Sequence, residues 1–448
     1  MARRVVIVGG GAAGIGAAGA AKAADPANEV VVYTEFEDVG YSPCGIPYVH
    51  GREIPDFQAL FLADKQTYVD AGIDIRYETI ALSFDPARRT VRVDGEGDVA
   101  YDSLVIATGF NYRDPGVPGR ELAGLYHVKN IRKAMEWDKV LDTVRHAVVV
   151  EASPLGLEMV TALAHRGIDT HVIDPHPWAL GELCDPDIVA PVQESWAEMG
   201  VTMHWNTTLK AFLDDGSGHV RAVATSDGEL PAELVVVATH KVPNNALAVA
   251  AGLTTGSTDG LVVDDHMATS APNVWAAGDV CEIPHGLRGL ALQGLTGSHA
   301  YAQGKVAGTN AAGGDRAYQP VYVPWGMVAG KWMIGGAALS EVLATALGIP
   351  YVVGRATGIS RARYYPGVKQ VRVKLLAEPG TLRLIGAQMV GGEGIKERAD
   401  FLAIAVRKGI TLRDLASMEN VYSPPIGALN EPIVTAATDG LAAADKGT

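Results

Sequence analysis

Cysteine is scarce in this chain. It occurs at Cys44, Cys184 and Cys281 only, in 448 residues. No pair is spaced as CxxC or as a metal-ligand set. That excludes a disulfide scaffold and a cysteine-built metal centre, and no metal is expected. Long apolar runs are also missing. None reaches the roughly 18 uncharged residues that a membrane span needs, so no membrane partner is expected. Arg3 and Arg4 precede an apolar stretch, but glycines break it, and a signal peptide is not expected. Positive charge is short too. Lys and Arg number 37 against 51 Asp and Glu, a net charge of −14. Nucleic acid is therefore not an expected partner, and an anionic ligand would need a locally basic pocket. A reducing cytoplasm is the expected compartment.

Apolar residues make up 48% of the chain and charged residues 20%, a globular balance. The length calls for two or three domains. Residues 4–8 (Arg-Val-Val-Ile-Val) read as a buried strand, followed by the loop Gly9-Gly10-Gly11-Ala12-Ala13-Gly14 and an alanine-rich helix to about Ala24. Residues 29–34 read as a second strand. Strand, glycine loop, helix and strand together form a βαβ unit whose loop suits a dinucleotide pyrophosphate. Glycine lets the backbone approach the phosphates, and the helix N-terminus offers N–H groups. Glu35, at the end of the second strand, is the candidate for the ribose hydroxyls. A similar pattern returns at residues 147–150, with a helix to about Arg166 and a strand at 169–174. Residues 102–109 and 233–239 read as matching closing strands. From about residue 320 the character changes to antiparallel strands at 371–376 and 384–390 and an amphipathic helix at 394–408. Residues 442–448 are expected to fray. There is no low-complexity segment and no short-period repeat.

A further segment, Thr269-Ser-Ala-Pro-Asn-Val-Trp-Ala-Ala-Gly-Asp279, ends a strand in Gly-Asp. Asp279 can accept hydrogen bonds from ribitol hydroxyls, and Gly278 permits close approach. With Ala107-Thr108-Gly109 and the loop at Gly9, Gly11, Ala13 and Gly14, it makes a three-part match. The chain resembles the pyridine nucleotide-disulfide oxidoreductases over essentially its whole length. That resemblance implies FAD as cofactor and an α/β fold with two Rossmann-like dinucleotide-binding domains, one for FAD and one of NAD(P) type. A C-terminal α+β dimerisation domain completes the fold. The implied boundaries are 1–115 with 245–320 for FAD, 116–244 for the NAD(P)-type domain and 321–448 for dimerisation.

Tyr41-Ser-Pro-Cys44-Gly-Ile-Pro-Tyr48 resembles the single-cysteine branch of the family. This branch holds the coenzyme A-disulfide reductases, the sulfur and polysulfide reductases and the NADH oxidases and peroxidases. The Cys-x4-Cys pair of glutathione reductase relatives is absent. Cys44 would therefore cycle through a mixed disulfide, a persulfide or a sulfenic acid. Cys184 and Cys281 read as packed thiols. In the coenzyme A-disulfide reductase branch two tyrosines of the other subunit face the thiol. The matching segments are Arg363-Tyr364-Tyr365-Pro-Gly and Tyr422-Ser-Pro-Pro, so Tyr364 and Tyr422 carry over and imply a homodimer. Residues 391–400 also follow the dimer-domain pattern, and no rhodanese-like module is expected after them.

The chain departs from the family in the second nucleotide unit, on the first helix and at the ribose acid. The second glycine loop reads Glu151-Ala-Ser153-Pro154-Leu-Gly156, with two of three glycines replaced, while Gly156 and the ribose candidate Asp174 survive. The closing motif reads Ala238-Thr-His240-Lys241-Val-Pro243-Asn244 where the family usually has Ala-x-Gly-x-x-Pro-Asn. Either NADH or NADPH still binds, helped by His240 or Lys241, or this domain has lost its nucleotide and only shapes the flavin pocket. On the first helix, Ala20 and Ala23 stand where relatives place phosphate-binding arginines, and only Lys22 is basic. The expected substrate is a small thiol, disulfide or organosulfur compound, with coenzyme A among the candidates although this helix supplies no clamp for its phosphates. The family's ribose acid falls on Thr34, one residue before Glu35.

The expected function is an FAD-dependent reductase of a disulfide, persulfide or polysulfide through Cys44, with NAD(P)H as donor. One alternative is thiol oxidation or C–S cleavage without ordinary NAD(P)H use. Another is a non-enzymatic flavin sensor.

Overall fold

The computed structural model describes residues 2–446, which form two compact units. The first contains residues 2–44, Asp56–Arg113 and His240–Val321. Its central sheet has five parallel strands in the order Val274–Ala276, Ser103–Ile106, Arg4–Val8, Glu29–Tyr33, Ile73–Arg76. Val5, Val6, Ile7, Leu104, Val105 and Ile106 are fully buried. Such continuous apolar strands suit a parallel sheet covered on both faces. The helix Ala12–Ala24 follows the first strand and packs against the helix Gly297–Ala311. Small residues line this contact. A Cβ on Gly304 would stand 2.1 Å from the Ala13 carbonyl oxygen, and one on Gly308 2.1 Å from that of Ala17. The helices approach so closely because Gly304 and Gly308 carry no side chain at these points.

The second unit contains Gly45–Pro55, Asp114–Thr239 and residues 322–446. One parallel sheet has the order Thr202–Trp205, Asp169–Asp174, His146–Val150, Leu234–Val237, Leu125–Tyr126. It repeats the β–turn–helix of the first unit through the helix Pro154–His165. An antiparallel sheet follows in the order Trp325–Ala329, Trp332–Ala338, Leu384–Gly391, Gln370–Ala377, Val352–Ile359. The helices Ile395–Lys408 and Pro432–Lys446 pack on it. Lys374 is buried and lies 3.1 Å from Asp185 and 3.0 Å from Glu341, with Asp187 also in reach. Burial opposes its charge, but the carboxylates outweigh that and raise its pKa.

The expected strands and helices are present, most with ends shifted by one or two residues; the strand expected at 102–109 ends at Ile106, and the one expected to run to Gly278-Asp279 is Val274–Ala276. The C-terminus differs from expectation. Residues 442–446 continue the last helix instead of fraying, because Ile433, Ala436 and Ala437 are buried and anchor it. The last two residues of the expected frayed segment lie outside the described residues. Among the described residues, no helix is long and apolar enough to cross a membrane.

Candidate functional site

The first glycine turn is built for an anion. Gly9 has φ of 111° and donates its N–H to the Tyr33 carbonyl at 2.8 Å, which ties the turn to the next strand. Its Cβ, if present, would lie 2.2 Å from the Ala107 carbonyl oxygen. Gly14 is pressed against the Gly9 carbonyl, where a Cβ would lie at 1.9 Å. Gly11 is the N-cap of the helix and has no side chain to close it. A Cβ there would meet nothing within 4 Å, and the first turn of the helix has no acidic residue. An open helix N-terminus with this lining fits a pyrophosphate. Thr34 is buried and its hydroxyl faces Gly10, whereas Glu35 is exposed just beyond the strand end.

The other two segments of the three-part match lie in the same unit. Ala107 and Thr108 abut Gly9, and Thr108 donates its hydroxyl to the Asn244 carbonyl at 2.6 Å. Gly109 has φ of 71° and open space at its Cβ position. Gly278 is close to Ala13, where a Cβ would stand 2.9 Å from the Ala13 Cβ, and its N–H donates to Gln303 at 2.8 Å. Asp279 is 12% exposed and pairs with Lys241, Nζ to Oδ2 3.1 Å. The structure thus gathers Gly9, Gly11, Ala13, Gly14, Thr108, Gly109, Gly278 and Asp279 around one turn. Gln303 joins them without a sequence signal, because no motif links it to Gly278.

Cys44 is exposed in the short turn Pro43–Gly45. Cys184 and Cys281 are buried, and burial pushes both thiols up, far from a reactive thiolate. In the second unit, Tyr48 donates its hydroxyl to Glu158 at 3.2 Å. Burial lifts the Glu158 carboxyl to about 7, and the Tyr48 bond only partly offsets it. The sequence offers no sign of this pair, since its members are 110 residues apart.

The second turn matches the first in backbone and differs in chemistry. Glu151 takes the place of Gly9. Its N–H donates to the Ile173 carbonyl at 2.9 Å, and its φ is 72°. A side-chain-bearing residue there costs roughly 1–2 kcal/mol. Gly156 takes the place of Gly14, its Cβ position 2.2 Å from the Glu151 carbonyl oxygen. Ser153 takes the place of Gly11, but its hydroxyl accepts from the Gly156 N–H at 3.2 Å and donates to the Ala238 carbonyl at 2.8 Å. Pro154 removes another N–H. Asp174 takes the place of Thr34 and is 4% exposed. Its carboxylate accepts from the Ala152 N–H at 2.7 Å and the His176 N–H at 2.8 Å, and pairs with the His176 ring at 2.8 Å. Donors that a dinucleotide phosphate would use are bonded within the protein. The groups of this turn do not fit a pyrophosphate in the pose the first turn offers.

Tyr364 and Tyr422 come together. Their hydroxyls are 3.0 Å apart and both rings are exposed. The hydrogen bond between the two hydroxyls raises the Tyr364 pKa. Val421, Ile426 and Leu429, close to Tyr422 in sequence, are each at least 70% exposed, and exposed apolar side chains of this kind suit an interface.

A parallel-sheet unit with an open glycine turn, a second turn of the same backbone and an antiparallel C-terminal sheet define a two-nucleotide-domain flavoprotein. The chain belongs to the pyridine nucleotide-disulphide oxidoreductase family: residues 3–307 match it, and residues 326–433 match its dimerisation domain. It is an FAD-dependent enzyme with two nucleotide-binding domains and a C-terminal dimerisation domain. It is 35% identical to an NADH oxidase of Methanocaldococcus jannaschii, over 98% of each chain. It is 31% identical to an NAD(P)H coenzyme A polysulfide/persulfide reductase of Pyrococcus horikoshii, again over 98% of each. Among solved structures, an NAD-dependent persulfide reductase from A. fulgidus superposes with a TM-score of 0.95 at 30% identity. That match covers 99% of this chain and 84% of the other.

Proposed function

We propose that the chain reduces a disulfide, persulfide or polysulfide through Cys44, with FAD as cofactor and NAD(P)H as donor. The carrying observation is that Cys44, in a family whose members include persulfide reductases, is the exposed cysteine, while both others are buried. A reducing cytoplasm, where thiols stay reduced, fits an exposed reactive cysteine. The division into 1–115 with 245–320, 116–244 and 321–448 belongs to the same proposal.

The turn at Gly9–Gly14, Thr108, Gly109, Gly278 and Asp279 would hold FAD, with Glu35 at the ribose. When bound, FAD supplies the two-electron exchange. The Cys44 thiolate attacks one sulfur of R–S–S–R′, forming Cys44–S–S–R and releasing R′S⁻. Two electrons then cleave that mixed disulfide to the Cys44 thiolate and RS⁻, and each released thiolate takes a proton. In a homodimer, Tyr364 and Tyr422 of the second copy stand ready to donate those protons. Coenzyme A remains a possible thiol, although Ala20 and Ala23 supply no phosphate clamp.

One observation favours a second reading. Ser153 and Asp174 occupy the donors of the second turn, and Glu151 adds a carboxylate to it. FAD and Cys44 would then act on a thiol or organosulfur substrate by thiol oxidation or C–S cleavage, without ordinary NAD(P)H use at Gly156 and Asp174. Anaerobic titration with NADH and NADPH separates the two. Bleaching of the flavin band within the usual ~μM–mM range supports the first reading, and no bleaching by either nucleotide removes it.

A further inference from the structure

Lys241 lies at a position that the family's Ala-x-Gly-x-x-Pro-Asn pattern leaves open. Its strand, Lys241–Pro243, pairs antiparallel with Phe110–Tyr112, the segment that leaves Thr108-Gly109. The side chain is held on several sides. Its ammonium lies 3.1 Å from the Asp279 carboxylate, donates to the Leu295 carbonyl at 3.3 Å and sits 4.5 Å from the centroid of the Phe110 ring. Its stem runs over Gly294, where a Cβ would stand 3.3 Å from Lys241 Cδ. Asp279 is fixed in turn, because Gln293 donates to its carbonyl at 2.7 Å and Gln303 anchors the preceding Gly278.

We propose that Lys241 is a flavin-positioning residue that acts through Asp279 and raises the reduction potential of the bound FAD; the proposal rests on Asp279 holding FAD. The reason is charge. Reduction by two electrons adds negative charge to the flavin, and an uncompensated Asp279 carboxylate beside it would oppose that. The Lys241 ammonium cancels the carboxylate. Because Asp279 is largely buried, the interaction is screened less than in bulk solvent. Lys241 also holds the carboxylate in one orientation, so that Asp279 meets the ribitol hydroxyls pre-arranged. The Phe110 ring and the Leu295 carbonyl, both uncharged, keep the ammonium in place without neutralising it.

The test uses the FAD-loaded protein carrying Lys241→Met or Lys241→Arg. The midpoint potential is measured anaerobically against a reference dye, with no sulfur substrate present, alongside the fraction of FAD retained on gel filtration. Lys241→Met is expected to weaken the reduced state at least tenfold, which for a two-electron couple is a fall of about 30 mV. Lys241→Arg, which keeps the charge, is expected to stay near the parent value. An unchanged potential in Lys241→Met overturns the proposal. If Lys241→Met does not retain FAD, Lys241→Gln is measured in its place, and an unchanged potential there overturns it equally. Loss of FAD from Lys241→Arg as well would show a packing role only, against the proposal. Asp279→Leu, which removes the acceptor, with normal FAD retention would instead remove the assignment of Asp279, a separate failure. Neither result touches the Cys44 chemistry.

Discussion

Cys44 differs from Cys184 and Cys281 by its surroundings alone, and that difference can be tested chemically. In the native holoenzyme, iodoacetamide is expected to alkylate Cys44, and the buried pair only after unfolding; peptide mass spectrometry distinguishes the sites. Labelling of Cys281 at a comparable rate would contradict the burial of that thiol. Glu158 gives a second expectation. Its folded pKa of about 7 lies above its ordinary value of 4.5, so the folded protein binds a proton that the unfolded chain releases. The stability it contributes is full below about pH 4.5 and is lost as pH rises through about 7. Glu158→Gln should therefore gain stability over the parent between about pH 5 and about pH 8, on the order of 2 kcal/mol in denaturant titrations. Equal pH dependence in both proteins would contradict this. Cys44 is legible in the sequence because its context is a run of consecutive residues. Lys241 with Asp279, and Tyr48 with Glu158, are not, because only the folded chain brings residues 38 and 110 apart into contact.

The two βαβ units are legible as elements from their apolar strands and the loop that follows each. The second loop's lost glycines are visible too, but not what replaces their function. Ser153 caps a helix through a hydrogen bond any serine can make, whereas the Asp174 bond to Ala152 depends on parallel register between two strands. Restoring the turn tests what these groups do. Glu151→Gly relieves a left-handed backbone and should raise stability by about 1 kcal/mol. Glu151→Gly combined with Ser153→Gly should tighten NADH binding at least tenfold, followed by quenching of NADH fluorescence. No change would mean that the capped turn does not limit the nucleotide. The helix pair of the first unit offers a converse case. Gly304→Ala places a methyl on the Ala13 carbonyl, so a loss of roughly 1–3 kcal/mol and weaker FAD retention are expected. The end of the C-terminal helix is hidden in the sequence because small residues at 442–446 look like a tail, while the anchoring residues lie a turn or two earlier.

At the scale of the molecule, the exposed Val421, Ile426 and Leu429 and the Tyr364–Tyr422 pair fall within the dimerisation domain. Burying such side chains between two copies is worth more than any single one of them. Ile426→Glu is expected to shift a dimer to monomer in sedimentation velocity and to lower activity in parallel. A monomer in the parent protein would contradict the role given to the two tyrosines. Family, cofactor and domain order can be read from motifs spread along the chain. Use of the second turn by the electron donor cannot, because it depends on how that turn satisfies its own hydrogen bonds. The redox role proposed for Cys44 can be tested without any nicotinamide. The holoenzyme is reduced with dithionite without oxygen, freed of excess reductant, and mixed with polysulfide or a small disulfide while flavin absorbance is followed. Prompt reoxidation in the parent and its loss in Cys44→Ser is the predicted result. Reoxidation at the same rate in Cys44→Ser would contradict a role for Cys44 as the redox thiol.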